Sequence, residues 1–203
     1  MDAMEWMGSA MRAARAQLDV ATHNLANAAT DGFRKARADV ALTARGLTVT
    51  ARTTHEQGAV RTTGRPFDLA LLGPGTFEVR GTRTTGGDTA RTRDGAFTRD
   101  RDGFIVDDRG RRLHGACGPL RVSADATVAA DGTVHDNGRI VDRLPLPQGT
   151  HVLAGALESS TADTIGETLA ILTAQRAFET AQKTLVAVDA TRERAANDVA
   201  RLK

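Results

Sequence analysis

Two short stretches carry residue types that do chemistry in other settings. Asp100-Arg101-Asp102-Gly103 places carboxylates at alternate positions before a glycine, the opening of a calcium loop. The loop glycine comes two positions early and the closing glutamate is missing, so turn chemistry accounts for the segment. Gly73-Pro74-Gly75 begins like a dinucleotide-binding turn, but Glu78 stands where the third glycine is needed. The chain contains no Gly-Lys pair and therefore no phosphate-cradling loop of that kind. His23, His55, His114, His135 and His151 lie far apart, without ligand spacing. A lone Cys117 gives neither an intrachain disulfide nor a thiolate metal site. Ser9, Ser123, Ser159 and Ser160 sit in no nucleophile elbow, and the carboxylates of the middle region stand at turns beside Gly or Arg. These residues define no catalytic, cofactor-binding or metal-binding set. The sequence reads as that of a protein that is not an enzyme and carries no cofactor.

What remains to be positioned is surface, and composition divides it. The 203 residues are 40% apolar and 26% charged, as in ordinary globular domains, and no run of about 18 apolar residues exists for membrane insertion. Net charge is only +2. The sequence pI of 9.2 reflects a slight arginine excess on a flat charge curve and is no nucleic-acid signature. Seven aromatics, none of them Tyr, make a poor platform for stacked bases. Asp2 and Glu5 stand where a secretory signal would be basic. All five prolines and most glycines fall between Gly46 and Gly155, with helix formers on either side. The expected fold class is α+β. Amino- and carboxyl-terminal coiled-coil-type helices pack together, and the middle is an all-β antiparallel domain; the boundaries are 1–42, 43–157 and 158–203.

Both ends carry a seven-residue repeat. Met4, Met7, Met11, Ala14, Leu18, Ala21, Leu25 and Ala28 alternate spacings of three and four, and Thr30-Asp31-Gly32 ends the helix. Ile171, Ala174, Phe178, Ala181, Leu185, Val188, Arg192, Ala195, Val199 and Leu202 repeat the alternation, while Ile165, Leu169 and Leu172 extend an apolar face upstream. Ser160 or Thr161 offers the N-cap of that second helix. Alanine at alternate seam positions admits a close partner backbone. Three Met and two Leu on the first seam contribute about 8–15 kcal/mol, but only where another surface covers them. The termini therefore pack on each other, on neighbouring copies, or both.

The middle reads as short strands joined by tight turns. Asp102-Gly103, Asp131-Gly132 and Asn137-Gly138 predict three hairpins, and Phe67–Leu72 with Thr76–Val79 reads as strand, turn, strand. Phe67, Phe77, Phe97 and Phe104 are the expected small core.

The residues from Gln17 to Arg34 resemble the amino-terminal signature of bacterial flagellar rod and hook proteins, N-N-L-A-N-x-x-T-x-G-[FY]-[KR]. Asn24, Leu25, Ala26, Asn27, Thr30, Gly32, Phe33 and Arg34 fit it, with His23 in place of the first Asn. Leu157-Glu158-Ser159-Ser160 and Gln175-Arg176-Ala177-Phe178-Glu179 are similar to the family's second signature, with Thr161 where Asn is usual. Gly64-Arg65-Pro66-Phe67-Asp68-Leu69-Ala70-Leu71 is similar to its T-G-x-P-L-D-L-A-I strand, and Thr92-Arg93-Asp94-Gly95-Ala96-Phe97-Thr98 to its Y-T-R-D-G-x-F-T hairpin, with Arg91 where an aromatic is common. The segment Thr43–Thr63 is shorter than in distal-rod members, so proximal and distal positions both stay open.

The resemblance implies a structural subunit of the flagellar basal-body rod that leaves through the type III export apparatus without a cleaved signal. It further implies self-assembly into a helical polymer beside other rod and hook proteins, with the terminal helices inside. The expected subunit-interface residues are Met7, Met11, Leu18, Leu25, Leu172, Phe178, Leu185 and Val188, with Asn24 and Asn27 assigned through the signature. The alternative is a secreted adhesion module on a helical dimerisation stem.

Overall fold

The computed structural model describes residues 3–44, 46–81 and 87–201, with side chains described from 4 to 197 within those ranges. Leu202 and the side chain of Val199, both seam positions, lie outside the described residues. The chain forms two compact units that do not follow three contiguous blocks. One comprises residues 1–28, 35–54 and 162–203; the other comprises 29–34 and 55–161.

The first unit holds α1 (Ala3–Ala26), a hairpin of β1 (Ala36–Thr43) and β2 (Gly46–Thr53), and α2 (Thr164–Arg201). Asn24 Nδ2–H reaches Glu167 Oε2 at 3.1 Å, while Phe178 lines a groove with Met11 and Arg15, so α1 and α2 run antiparallel. The buried seam positions are the small ones: Ala14, Ala21, Ala174 and Ala181. Alanine there lets the helix axes approach, and the larger seam side chains from Met7 onward fill the flanks half-buried, while Met4 is exposed. At 1.5 Å per residue, α2 is about 57 Å long against about 36 Å for α1. Its exposed stretch Thr191–Asn197 follows from that difference.

The hairpin register pairs Val40 with Val49 and Leu42 with Leu47. Opposed residues share a face, so Ala36, Ala38, Val40 and Leu42 align with Leu47, Val49 and Ala51 as one apolar side. Ser9 secures it to α1: its Oγ–H donates to Trp6 O at 2.7 Å and its Oγ accepts the Leu47 N–H at 3.2 Å. The cap of α2 is neither Ser160 nor Thr161. Asp163 takes that place, its Oδ2 accepting the Gly166 N–H at 2.8 Å and its Oδ1 the Ile165 N–H at 3.4 Å. A carboxylate next to the first turn also suits the helix dipole. Five threonines, low in helix propensity, donate their hydroxyls to carbonyls four residues back, as Thr180 does to Arg176 O at 2.8 Å.

The second unit is all antiparallel. Its strands are β3 (Val60–Thr62), β4 (Leu69–Leu72), β5 (Phe77–Arg80), β6 (Thr89–Thr92), β7 (Thr98–Arg99), β8 (Ile105–Val106) and β9 (Arg112–Leu113). They continue with β10 (Thr127–Val128), β11 (Thr133–Asp136), β12 (Arg139–Arg143), β13 (His151–Ala154) and β14 (Ala156–Glu158). The largest sheet has the order β6-β5-β9-β8-β7, a second has β10-β11-β12, and two pairs join β13 to β4 and β14 to β3.

The three hairpins predicted from the sequence form. Their turns hold Gly103 at φ 89°, Gly132 at φ 82°, and Asn137 and Gly138 at φ 51° and 75°. Other expectations are corrected. Phe67 lies in a turn with Pro66, Asp68 makes an isolated bridge to Ala96, and only Leu69–Leu72 of that segment is a strand. The strands on either side of Gly73-Pro74-Gly75 are present as β4 and β5, and β4 pairs with β13. Thr92–Thr98 is no hairpin, because β6 and β7 lie at opposite edges of the five-stranded sheet. Phe77 and Phe97 meet edge to face at 5.2 Å in the core beside Leu69, Leu71, Leu113 and Val152, with Phe67 packed against them. Phe104 is not in that core. It is half-buried beneath the Arg112 guanidinium, 3.7 Å from the ring centroid.

Candidate assembly surface

Asn24 is the pivot of the first unit. Its Oδ1 accepts the Ala36 N–H at 2.8 Å and its Nδ2–H donates to Ala36 O at 2.8 Å. The amide thus stands in for a strand partner at the start of β1, and a further Nδ2–H bond to Glu167 ties the hairpin and both helices together. At 2% exposure Asn24 is committed inside its own chain. Asn27 Nδ2–H donates to His23 O at 2.9 Å and satisfies a carbonyl that the end of α1 leaves without an intrahelical donor.

In the second unit the separated sequence motifs converge. The Arg93 guanidinium spends all five of its donors. Nε–H and Nη2–H go to Glu158 Oε2 at 2.8 and 2.6 Å, a second Nη2–H goes to Leu71 O at 2.7 Å, and Nη1–H groups go to Gly73 O and Gly75 O at 3.0 and 2.8 Å. Glu158 Oε1 accepts the Gly58 N–H at 3.0 Å, and Glu158 O accepts the Gly32 N–H at 2.6 Å. Glycine is required at three of these crossings. A Cβ on Gly32 would strike the Arg93 backbone, one on Gly58 the Ser159 carbonyl, and one on Gly95 the Leu69 carbonyl. Asp68 is fully buried and takes a fork from Arg65, with Nε–H at 2.9 Å and Nη2–H at 2.7 Å, plus the Thr63 hydroxyl at 2.6 Å.

The expected interface residues fall into two groups. Met7, Met11, Leu18, Leu25, Phe178, Leu185 and Val188 are half-buried along the α1–α2 seam. Met11 and Phe178 line a groove of about 480 Å³, and Leu18 and Phe178 a smaller one of about 270 Å³. Leu172 is different. With Ile165 and Leu169 it forms a ridge at i, i+4, i+7, the three being 73%, 59% and 46% exposed from Ile165 to Leu172. At 100° per residue Leu172 stands roughly 200° around the helix from buried Ala174. The first half of α2 is therefore apolar on two opposite sides, the pattern of a helix meant to be enclosed.

Among the described residues no group of His, Cys, Asp and Glu is arranged to hold a metal ion, and no helix is long and apolar enough to cross a membrane. Asp100 and Asp102 serve the turn, Asp100 Oδ1 accepting the Phe104 N–H at 2.7 Å. Sequence reasoning missed the tie between Arg93 and Glu158. Each sits in a recognisable motif, but no local signal says that the two meet.

Comparison with known proteins accounts for the convergence of motifs. Residues 4–34 match the family described as flagella basal body rod protein, 70–141 the flagellar hook protein FlgE/F/G D1 domain, and 153–198 the C-terminal family of flagellar basal body rod FlgEFG protein. The chain is similar to flagellar basal-body rod protein FlgG of Bacillus subtilis (strain 168), at 28% identity over 248 aligned positions, covering 89% of this chain and 92% of that one. It is also similar to flagellar basal-body rod protein FlgF of Escherichia coli (strain K12), at 34% identity over 140 positions; there it spans 54% of the relative, and the match takes in 63% of this chain.

Proposed function

We propose that the chain is a flagellar basal-body rod protein, a structural subunit of the rod that assembles helically with copies of itself and with other rod and hook proteins; three family matches along its length and the likeness to two rod proteins support this. In this reading its role is structural, and it reaches the rod through the flagellar export channel. The observation that carries the polymerisation reading is the exposed ridge Ile165, Leu169 and Leu172 on a helix whose opposite side already packs on α1. A heterologous contact through such a ridge does not close, and repetition gives a filament.

Magnitudes set the manner of assembly. Covering the exposed part of the ridge yields roughly 3–5 kcal/mol. Association costs an estimated 4–15 kcal/mol in lost freedom. One ridge therefore does not hold a dimer together in dilute solution. Addition to a growing end, where a subunit meets several neighbours at once, crosses the threshold. Seam side chains with exposed flanks, among them Met7, Met11, Leu18, Leu25, Phe178, Leu185 and Val188, add to such multiple contacts. Asn24 and Asn27 act behind them by fixing the end of α1 and the start of β1. Nothing in the matched families points to the adhesion module.

Deleting the gene and complementing it tests the reading. The expected result is loss of flagella and motility on deletion, recovery on complementation, and the chain present in purified basal bodies. A motile deletion strain, or basal bodies that lack the chain, overturns it.

A further inference from the structure

Apart from the ridge, α2 and the hairpin of β1 and β2 expose three large aliphatic side chains: Leu42 at 69%, Val186 at 63% and Val40 at 44%. Val186 shares its helix face with Lys183 and Asp189, whereas Val40 and Leu42 share their side of the hairpin with no charged residue of β1 or β2. Arg37, Asp39 and Arg52 stand on the other side and pair there, the Asp39 carboxylate lying 3.6 Å from each arginine. The apolar strip is wider than α1 covers. Leu47 and Val49 on β2, the strand that Ser9 anchors, are half-buried, while Val40 and Leu42 opposite them on β1 stay exposed.

The ridge of α2 matches this strip. Ile165, Leu169 and Leu172 span about 10 Å of helix, and Ala38, Val40 and Leu42 about 13 Å of strand. The charged residue within the length of the ridge, Glu167, is turned inward to Asn24. Burying one surface against the other therefore strands no ion. In the second unit, Ile140 and Val141 are neighbours at the bulge of β12 between Arg139 and Asp142, and Leu72 and Leu153 stand beside exposed His151. Within one chain the strip lies on α1 and the ridge faces away from α1, so the two do not meet. We propose that the ridge of one copy is covered by the exposed β1 strip of a second copy. Ridge on ridge closes a pair and consumes the surface. Ridge on strip leaves one free ridge and one free strip after every addition, which is what a filament requires. This inference rests on the rod reading and names the surface that meets the ridge.

Cross-linking of assembled material tests the contact. Cys117 is exposed and is first replaced by serine, so that no native thiol competes. In that background Leu169→Cys is combined with Val40→Cys or with Leu42→Cys, and purified basal bodies are oxidised and separated without reductant. The expected result is a ladder of multiples of the chain from at least one pair, with each single-cysteine variant staying at the mass of one chain. Basal bodies that contain the chain but give no ladder from either pair overturn the proposal and leave the rod reading intact. A dimer from Leu169→Cys alone makes the contact ridge to ridge and overturns it, and so does a product containing a different rod protein. Independently, Leu42→Asp is expected to leave thermal melting of the isolated chain unchanged and to fail to restore motility to the deletion strain. Normal swimming with Leu42→Asp overturns the part given to the strip, and lowered melting assigns Leu42 to the fold and overturns it as well. Absence of the wild-type chain from basal bodies defeats the rod reading itself, and this inference with it.

Discussion

Arg93 and Glu158, 65 residues apart in the chain, form an ion pair of 2.6 Å whose side chains are 4% and 1% exposed. It joins the connection between β6 and β7 to the last strand before α2 and closes over the Leu71, Gly73 and Gly75 carbonyls. Removing one partner strands the other as a buried charge or leaves carbonyls without donors. Arg93→Met is expected to cost about 3–5 kcal/mol in urea unfolding of the second unit, and Glu158→Gln a comparable amount. The double variant is expected to cost less than the two singles added together, which a double-mutant cycle measures.

The same substitution at two glycines is expected to act with opposite sign. Gly8 lies inside α1, where an added Cβ meets only the Arg12 side chain at 3.4 Å. Gly8→Ala is expected to raise helix stability by about 0.5–1 kcal/mol. Gly95→Ala drives a Cβ into the Leu69 carbonyl and is expected to leave the second unit unfolded or strongly destabilised. Circular dichroism melts of the two variants check the contrast.

Asn24→Ala removes three hydrogen bonds and leaves both backbone groups of Ala36 without their partner. The expected cost is about 1–3 kcal/mol, located in the first unit. Hydrogen exchange at Ala36 and along β1 is expected to accelerate, with the amides of β4 and β5 unchanged.

His114 provides the pH dependence. Burial holds its imidazole below the ordinary histidine value, helped by Arg80 and Arg112 and opposed by Glu78. A depressed value in the folded chain means that its contribution is complete above the unfolded pKa of about 6.5 and is lost as pH falls through the folded value. Denaturation midpoints are expected to decline between about pH 7 and pH 5. His114→Gln is expected to flatten that part of the decline.

The helices were legible because a strict seven-residue repeat leaves few alternatives, and the hairpins because Asp-Gly and Asn-Gly pairs supply residues that accept positive φ. The hairpin of β1 and β2 was not read from the sequence. Its alternation, Ala36, Ala38, Val40 and Leu42 against Arg37 and Asp39, is present but weak, since alanine carries little hydrophobic signal. The turn at Pro66 and Phe67 was hidden because the next residue, Asp68, is buried by a fork from Arg65, a tertiary circumstance that the apolar run around it conceals. Phe104 was misplaced for a related reason. A phenylalanine in a strand reads as core, but arginine above its ring makes an outward position tolerable. Among the interface residues the seam was visible as a pattern. Which side of α2 stays bare after α1 is in place required the packed pair.

The central claim is that the outward ridge of α2 exists to be covered by other copies. The most direct measurement is incorporation of Leu169→Asp/Leu172→Asp into basal bodies, read by motility and by the chain content of purified hook–basal bodies. Thermal melting of the isolated variant is followed in parallel. The account predicts melting like that of the parent chain, because these side chains touch little within it, together with loss of incorporation and of swimming. Wild-type incorporation and swimming by that variant would contradict it.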